Sequence, residues 1–413
     1  MSPPSPVELR YHTVAQDAAL GTLLAVVLCA LLKLVLSGAR RRRARVPVLV
    51  VGAGPVGLVA ALAALRSGRT RHLQLLEARG RASLLRRPQQ VALDPRSVRF
   101  LRALGVDFDN MEGCWRERRF FTRLGVFQEH LLSLLERERR GVELSLGTRF
   151  SEDFLRRIPA AERPRVIIVA DGSSGDSCSV LGISDEFIVE SCGAYGANAT
   201  IERLDQRQVP TPEIRVHGLL FDLSAYGIDA QRESRRGSLA VVDSSGFHLK
   251  IYGSFRNRCM ALACQEHGQG KMVHFLRHTA NTSIMRSIFH QSFNTYKSDM
   301  EPRLMELSSN RLQCSRKLFE IQLSHRRITA AFMEAEQISV TVEGAAARLL
   351  NFDTGSGVNL GLEGLESLGA FISRTAVALD RGELIEALSE KIQHARQVSR
   401  SFCRSGVSSA IFE

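Results

Sequence analysis

The chain has 413 residues, of which 44% are hydrophobic and 24% charged, and it carries a formal net charge of +12. This composition is typical of a globular protein with a large core and room for more than one lobe. Five arginines between residues 40 and 45 carry much of the positive charge, and aromatic residues rarely interleave with basic patches, so nucleic-acid binding is not expected. The eight cysteines form no C-x-x-C pair and no Cys/His ligand spacing, which argues against a metal site and a disulfide framework and fits a reducing compartment.

The first element is an apolar segment at residues 18–36, interrupted only by Thr22 and Lys33. As a helix it would be about 28 Å long, enough to cross the hydrocarbon core of a bilayer. The arginines that follow at once predict, by the positive-inside rule, that the body of the protein faces the cytosol and residues 1–17 the lumen. We therefore expect a single-pass membrane protein, of the endoplasmic reticulum or another endomembrane, with a short basic tether at 37–47.

Two other interpretations of this segment are open. Ser37-Gly38-Ala39 could be the small-residue site of a cleaved signal peptide, although arginines directly after the apolar core oppose translocation. A mitochondrial presequence would need an amphipathic helix, whereas this stretch is apolar except for Thr22 and Lys33. The anchor is the favoured interpretation.

The run from Val48 to Glu77 predicts a dinucleotide-binding βαβ unit. Gly52, Gly54 and Gly57 have G-x-G-x-x-G spacing, between an apolar strand and an Ala/Leu-rich helix. In such a unit the first glycine permits the tight turn, the second lets the backbone approach a pyrophosphate, and the third lets the helix pack on the strand. The helix N-terminus favours the phosphates, and Glu77, at the end of the second strand, would accept hydrogen bonds from a ribose.

The chain then continues to alternate between helices and strands. A basic loop after Glu77 precedes a helix that ends at Gly105. The further predictions up to residue 172 are a helix at Val126–Arg140, a strand at Val142–Leu146, a surface connection at 151–164, and a buried strand at Arg165–Ala170 that leads into Asp171 and Gly172.

The pattern changes between about 186 and 265, where four segments have the composition of antiparallel strands: 215–223, 237–245, 247–255 and 258–264. Residues 271–320 are predicted to be mainly helical, followed by a strand at 338–347 and by helices after Gly361 and at 383–399. The fold class is therefore α/β. A Rossmann-type lobe (48–185 and 331–413) is interleaved with a lobe of antiparallel sheet and helices (186–330).

Three separated motifs together resemble the class A FAD-dependent monooxygenases, which have the p-hydroxybenzoate hydroxylase fold. The first is the glycine run that ends at Glu77. The second is VIIVADG, similar to the family's strand-Asp-Gly motif and containing Asp171 and Gly172. The third is EGAAARLLNFDTGSGVNLGLEGLESL, similar to the family's G-D-A-A-H…P…G-x-G-x-N pattern. Their order and separation match the family across nearly the whole chain after the apolar segment.

The resemblance implies that Gly355, Gly357 and Asn359 lie at a helix N-terminus that meets the flavin ring and ribityl chain. It also implies that Arg87 and Gln89 contact the flavin or the pyrophosphate, with Gln128 a weaker candidate.

Two positions depart from the family pattern. Ala345 stands where the family has the aspartate that hydrogen-bonds the ribityl hydroxyls, and Arg348 stands where it often has histidine.

The activity implied by the resemblance is monooxygenation with FAD as cofactor and NADPH as a transient co-substrate, through a flavin C4a-hydroperoxide. Some details are similar to the MICAL-type monooxygenases, and squalene epoxidase also combines a membrane-anchored N-terminus with this flavin lobe. Neither likeness identifies the substrate, which we expect to be lipophilic or close to the membrane. No catalytic residue can be named, since His248, His267 and His325 are expected to be packing or surface residues. The alternative is a flavin-fold pseudoenzyme that acts as a binding or scaffold module.

Overall fold

The computed structural model describes residues 28, 44–87, 89–116, 118–138, 141–159, 162–202, 215–219, 247–253, 257–265, 271–299, 301–305 and 311–406. Within these ranges, no helix is both long enough and apolar enough to cross a membrane. The predicted anchor at 18–36 lies outside them except for Leu28, and so does the strand predicted at 237–245.

A six-stranded sheet forms the first lobe, as the βαβ pattern predicts. In spatial order its strands are β14 (Ala330–Met333), β15 (Ile338–Val342), β7 (Val166–Val169), β1 (Val46–Val51), β2 (Thr70–Glu77) and β6 (Val142–Leu146). All neighbours are parallel except the edge strand β14. The central strands are apolar and buried because helices cover the sheet, and their carboxyl ends meet at one edge. Ligands bind at this edge in open α/β sheets.

The helices of this lobe lie in several parts of the chain: α1 (Pro55–Arg66), α2 (Arg81–Leu85), α3 (Pro95–Ala103), α4 (Leu124–Arg137), α5 (Glu152–Arg157), α6 (Ser177–Val180), α9 (Gly357–Leu365), α10 (Leu368–Val377) and α11 (Arg381–Ser401). A π-helical turn, Phe402–Gly406, follows α11, and a 3₁₀ turn, Gly344–Ala346, precedes α9. Apolar residues of α1, α4 and α10 pack with one face of the parallel sheet in a single core cluster. This packing holds the N-terminus of α1 at the carboxyl edge of the sheet.

A seven-stranded antiparallel sheet forms the second lobe. Six strands follow the order β16 (Arg348–Leu350), β13 (Phe319–Arg326), β8 (Phe187–Glu202), β11 (Asn257–Gln265), β10 (Phe247–Gly253) and β9 (Arg215–Leu219), and β12 (Leu312–Cys314) also pairs with β8. Two helices, α7 (Lys271–His274) and α8 (Thr282–Tyr296), are joined by a π-helical turn at Phe275–Thr279. They share a second apolar core cluster with this sheet.

The structure corrects several predicted elements. The connection at 151–164 contains α5, which begins at the N-cap Ser151. Among the described residues of 271–320, helices occupy the first part, and β12 and the start of β13 follow. A small sheet, in the order β3 (Gln90–Leu93), β5 (Arg119–Arg123) and β4 (Cys114–Arg116), was not predicted. Its strands are three to five residues long, too short for their alternation to be distinguished from a loop.

Candidate functional site

A cleft of about 680 Å³ lies at the carboxyl edge of the parallel sheet, between the N-termini of α1 and α9. Residues from all three sequence motifs line it, although the motifs are far apart in the chain. The predicted site residues in its walls are Gly52, Gly54, Glu77, Arg87, Asp171, Gly172 and Gly357. The fold thus brings together the motifs that the sequence analysis connected.

The three glycines of the first turn have different tasks. Gly52 has φ +103°, and a Cβ there would lie 2.4 Å from the carbonyl oxygen of Ala170. A Cβ on Gly57 would lie 1.9 Å from the carbonyl oxygen of Gly52, so both glycines are required for packing. Gly54 is different, because its Cβ would have no described atom nearer than Ala170 O at 4.0 Å and would point into open space. The lack of a side chain at Gly54 therefore leaves room for a ligand in the cleft.

Gln128 supports this turn from behind. Its side chain is fully buried, and Nε2 donates to the carbonyl oxygen of Ala53 at 2.9 Å. It does not line the cleft. The structure therefore places Gln128 where it can hold the glycine turn in position, behind the surface that a ligand would touch.

Glu77 is 4% exposed and anchors the turn from the end of β2. Its carboxylate accepts hydrogen bonds from the Ala53 amide at 2.8 Å, from the Arg79 amide at 3.0 Å and from Arg79 Nε at 2.7 Å. Burial by itself would raise the pKa of Glu77, but the hydrogen bonds from Arg79 and Ala53 outweigh it and lower the pKa below its usual value. The group is therefore ionised at neutral pH, at the position predicted for the ribose acceptor.

The second motif lies beside the first turn and forms the adjoining part of the wall. Asp171 follows β7, and its Oδ2 accepts a hydrogen bond from the Ser177 amide at 3.1 Å. Gly172 has φ +90°, with no described atom within 4 Å of a Cβ position. A left-handed residue that leaves the wall open is consistent with close approach of a ligand to the backbone.

The third motif divides into positioning residues and an open residue. Gly355, with φ +75°, accepts a hydrogen bond from the Ala92 amide at 3.0 Å. Asn359 donates from Nδ2 to Ala92 O at 2.8 Å and accepts at Oδ1 from the Asp94 amide at 3.2 Å. These contacts join the segment to β3 and to the start of α3. Of Gly355, Gly357 and Asn359, Gly357 is the residue that lines the cleft, with no described atom within 4 Å of its Cβ position.

The loop after α2 places its two candidates differently. Arg87 is half-buried and lines the cleft, whereas the Gln89 side chain is exposed and does not. The next residue, Gln90, is buried, and within the described residues neither atom of its amide has a hydrogen-bond partner. The sequence does not distinguish Gln89 from Gln90. The pairing of β3 decides which of the two side chains points inward.

A buried charge cluster beneath the cleft was not found from the sequence. Glu343 bonds to Lys391 at 2.6 Å and to Arg348 at 3.5 Å, and all three side chains are 1% exposed. Burial lowers the pKa of both cations, while the negative charge of Glu343 opposes that shift. Because Arg348 also lines the cleft, the cluster supports the same wall as Ala345. Lys391 lies on α11, far along the chain from the three motifs, so no motif connects it to the site.

The histidines singled out in the sequence do not converge on the cleft. His325 is buried and pairs with Glu190 at 2.8 Å on the antiparallel sheet. Burial lowers the pKa of His248, and His267 lies outside the described residues. Neither His248 nor His325 lines the cleft.

No protein-family model matches the chain, and no curated protein is significantly similar to it in sequence. Solved structures are similar to it over most of their length. They include tetracycline destructase Tet(51) (13% identity, TM-score 0.46, 89% of this chain and 90% of that one) and PqsL of P. aeruginosa in complex with 2-aminobenzoylacetate (16%, 0.48, 89% and 96%). A third is a single-residue variant of Klebsiella pneumoniae HpxO complexed with FAD (16%, 0.46, 87% and 90%). At these identities the likeness concerns the fold alone.

Proposed function

We propose that the protein is an FAD-dependent monooxygenase that uses NADPH and O₂. The observation that carries this proposal is the pair of open glycines, Gly54 and Gly357, at the N-termini of the two helices that border one cleft. Helix N-termini with an unhindered backbone favour phosphate and other electron-rich groups. A molecule with a pyrophosphate at one end and a ring carrying carbonyl groups at the other fits this arrangement.

The residues of the cleft fit FAD in particular. The turn at Gly52 and Gly54 would hold the pyrophosphate, Glu77 would hold the adenosine ribose, and Gly357 would let helix amides approach the flavin. Bound FAD would supply the redox chemistry, which the protein side chains cannot perform. The chain's own contribution is to bind and orient the cofactor, with Gln128 and Asn359 fixing the two loops that touch it.

A second candidate function, a pseudoenzyme with a binding or scaffold role, is favoured by one observation. Ala345 lines the cleft, is exposed there, and provides no side-chain acceptor for the ribityl hydroxyls. Arg348, three residues further along the chain and also in the wall of the cleft, is a donor and is engaged with Glu343. The two functions therefore differ in how firmly FAD is held and in whether it turns over.

The flavin spectrum of the purified protein, with and without NADPH, tests both functions, and Ala345→Asp sharpens the test. For a monooxygenase, the new carboxylate should tighten FAD binding about tenfold to hundredfold, by ~1.5–3 kcal/mol, because the ribityl hydroxyls regain a charge-assisted acceptor. Ala345→Asn is the control of the same size without the charge. FAD dissociation constants and NADPH oxidation should be measured for all three proteins. Weaker FAD binding in the Asp variant, without turnover in any form, would identify a pseudoenzyme.

We also propose that residues 18–36 anchor the protein in an endomembrane, with the body in the cytosol and the substrate lipophilic or close to the membrane. The length and apolar character of the segment and the arginines after it support this topology.

The anchor predicts that the full-length protein stays in the membrane pellet after alkaline carbonate. It also predicts that protease added to sealed vesicles digests the body. Deleting residues 18–36 should release the protein to the soluble fraction and serves as the control. Extraction of the full-length protein by carbonate, or protection of its body in sealed vesicles, would contradict this topology.

A further inference from the structure

Two cysteines from distant parts of the chain meet on the side of the antiparallel sheet. The sulfur atoms of Cys192 and Cys403 are 3.9 Å apart and 211 residues apart in sequence. Cys192 is buried on β8, and Cys403 is half-buried in the π-helical turn that follows α11. Both are free thiols in this structure.

The backbone around Cys192 is irregular in a way that directs this side chain. The pairing of β8 with β13 shifts between Glu320 and Gln322, so that several residues of β8 lie opposite a single residue of β13. Gly193, next to Cys192, has φ +63°. A bulge of this kind bends the strand and re-aims its side chains. Here it turns the strand toward the end of α11, where Phe402 and Cys403 pack against the apolar cluster that contains Cys192.

The pKa values of the two thiols are shifted in opposite directions, as a reaction between them requires. The hydrogen bond with Cys403 lowers the pKa of the Cys192 thiol, although burial opposes this shift, and the pKa of Cys403 is raised. Elsewhere burial raises the pKa of Cys178 and Cys259 to about 11 and that of Cys264 to about 12. Because the thiolate is the nucleophile, this difference favours Cys192 as the thiol that attacks first.

We propose that Cys192 and Cys403 form a reversible disulfide when the protein meets a peroxide, and that this bond fastens the end of α11 to the antiparallel sheet. The sulfur atoms need to approach by about 1.9 Å to reach the length of a disulfide bond. The inference does not depend on the proposed function, because neither cysteine lines the cleft.

The reaction balances with hydrogen peroxide as the oxidant. The Cys192 thiolate attacks one peroxide oxygen, so an S–O bond forms, the O–O bond breaks, and the departing oxygen leaves as water after taking up a proton. The Cys403 thiol then attacks this sulfenic sulfur; the S–S bond forms, the S–O bond breaks, and the hydroxyl leaves as a second water with the thiol proton. Two thiols lose two electrons to one peroxide. A dithiol reductant reverses the change.

The bond would act on the wall of the cleft through α11. Lys391 and Ala395 on this helix contact the buried cluster, since Lys391 pairs with Glu343 and Ala395 O lies 3.5 Å from Arg348 Nη1. A covalent link at the end of the helix would restrict its separation from the sheet. Because the closed loop is long, the link should also raise the melting temperature, by restricting the unfolded chain.

The test treats purified full-length protein with hydrogen peroxide, blocks free thiols with N-ethylmaleimide, and maps peptides without reduction. Trypsin and a protease that cleaves after Glu are used together, because a tryptic peptide with Cys192 also contains Cys178. We expect residues 191–202 linked to residues 401–404, a melting temperature several degrees higher, and loss of both changes with dithiothreitol.

Matched serine variants decide the outcome. Cys403→Ser, at the more exposed position, should remove the linked peptide and the rise in melting temperature, and Cys178→Ser should retain both. If Cys192→Ser does not fold, Cys403→Ser is sufficient to test whether the disulfide forms. Linkage of Cys192 to another cysteine, alkylation of both thiols after peroxide, or an unchanged melting temperature in the linked protein would overturn the proposal.

Discussion

Replacing Gly54 by valine is expected to abolish copurification of FAD while the protein still folds. Gly54 has φ −64° and ψ 171°, an extended conformation that valine adopts without strain. Its Cβ would meet no described atom closer than 4.0 Å, so the added methyl groups would occupy the cleft and displace a pyrophosphate from the backbone. We expect binding to weaken by at least about a hundredfold, or ~2.7 kcal/mol.

The measurement is flavin absorbance per polypeptide, together with the circular dichroism spectrum. Gly80→Val is the matched control, because Gly80 has a similar extended backbone, has open space at its Cβ position and lies outside the cleft. It should retain FAD. Gly57→Val should instead prevent folding, since its Cβ would overlap the Gly52 carbonyl at 1.9 Å. Equal flavin content in wild type and Gly54→Val would refute the cofactor assignment.

Replacing Glu343 by glutamine is expected to destabilise the folded protein strongly. The carboxylate is the anion between two fully buried cations, Arg348 and Lys391. Glutamine keeps the shape but removes the carboxylate that both cations contact, and loss of one member of a buried ion pair costs about 3–5 kcal/mol. The free energy of unfolding from denaturant titration measures this effect.

Two further variants make the test specific. Glu386→Gln makes the same chemical change on α11 in an exposed ion pair with Arg374, and it should cost about 0–1 kcal/mol. Adding Lys391→Met to Glu343→Gln removes one of the two cations and should recover part of the lost stability. An effect of Glu343→Gln no larger than that of Glu386→Gln would mean that the cluster does not support the fold as its geometry implies.

Local sequence patterns predicted those parts of the site whose residues have a recognisable spacing within one short stretch of the chain. The first glycine turn needs φ above zero at Gly52 and close packing at Gly57, and spacing expresses both requirements. Glu77 was identified because it ends an apolar strand at a regular distance from that turn. The parallel sheet of the first lobe followed from the alternation of strand and helix. These features depend on neighbours along the chain.

The role of each site residue within these motifs was decided by contacts between motifs. Gln128 and Asn359 were expected to touch the cofactor, and the structure places both against backbone groups that position the loops. Gln89 and Gln90 differ only in which side of β3 they face, and the pairing with β5 determines that. Neither distinction exists until the strands and loops are packed together.

The sequence by itself determined the dinucleotide turn, the acid at the end of β2 and the glycine-rich start of α9, because each has a regular spacing within one short stretch of the chain. Only the tertiary structure brought Glu343, Arg348 and Lys391 together under the cleft, and Cys192 beside Cys403. The physical reason is that charges and thiols interact through space over a few ångströms. Their positions along the chain follow no regular spacing that would reveal the contact. The fold, set by apolar burial, decides which of them meet.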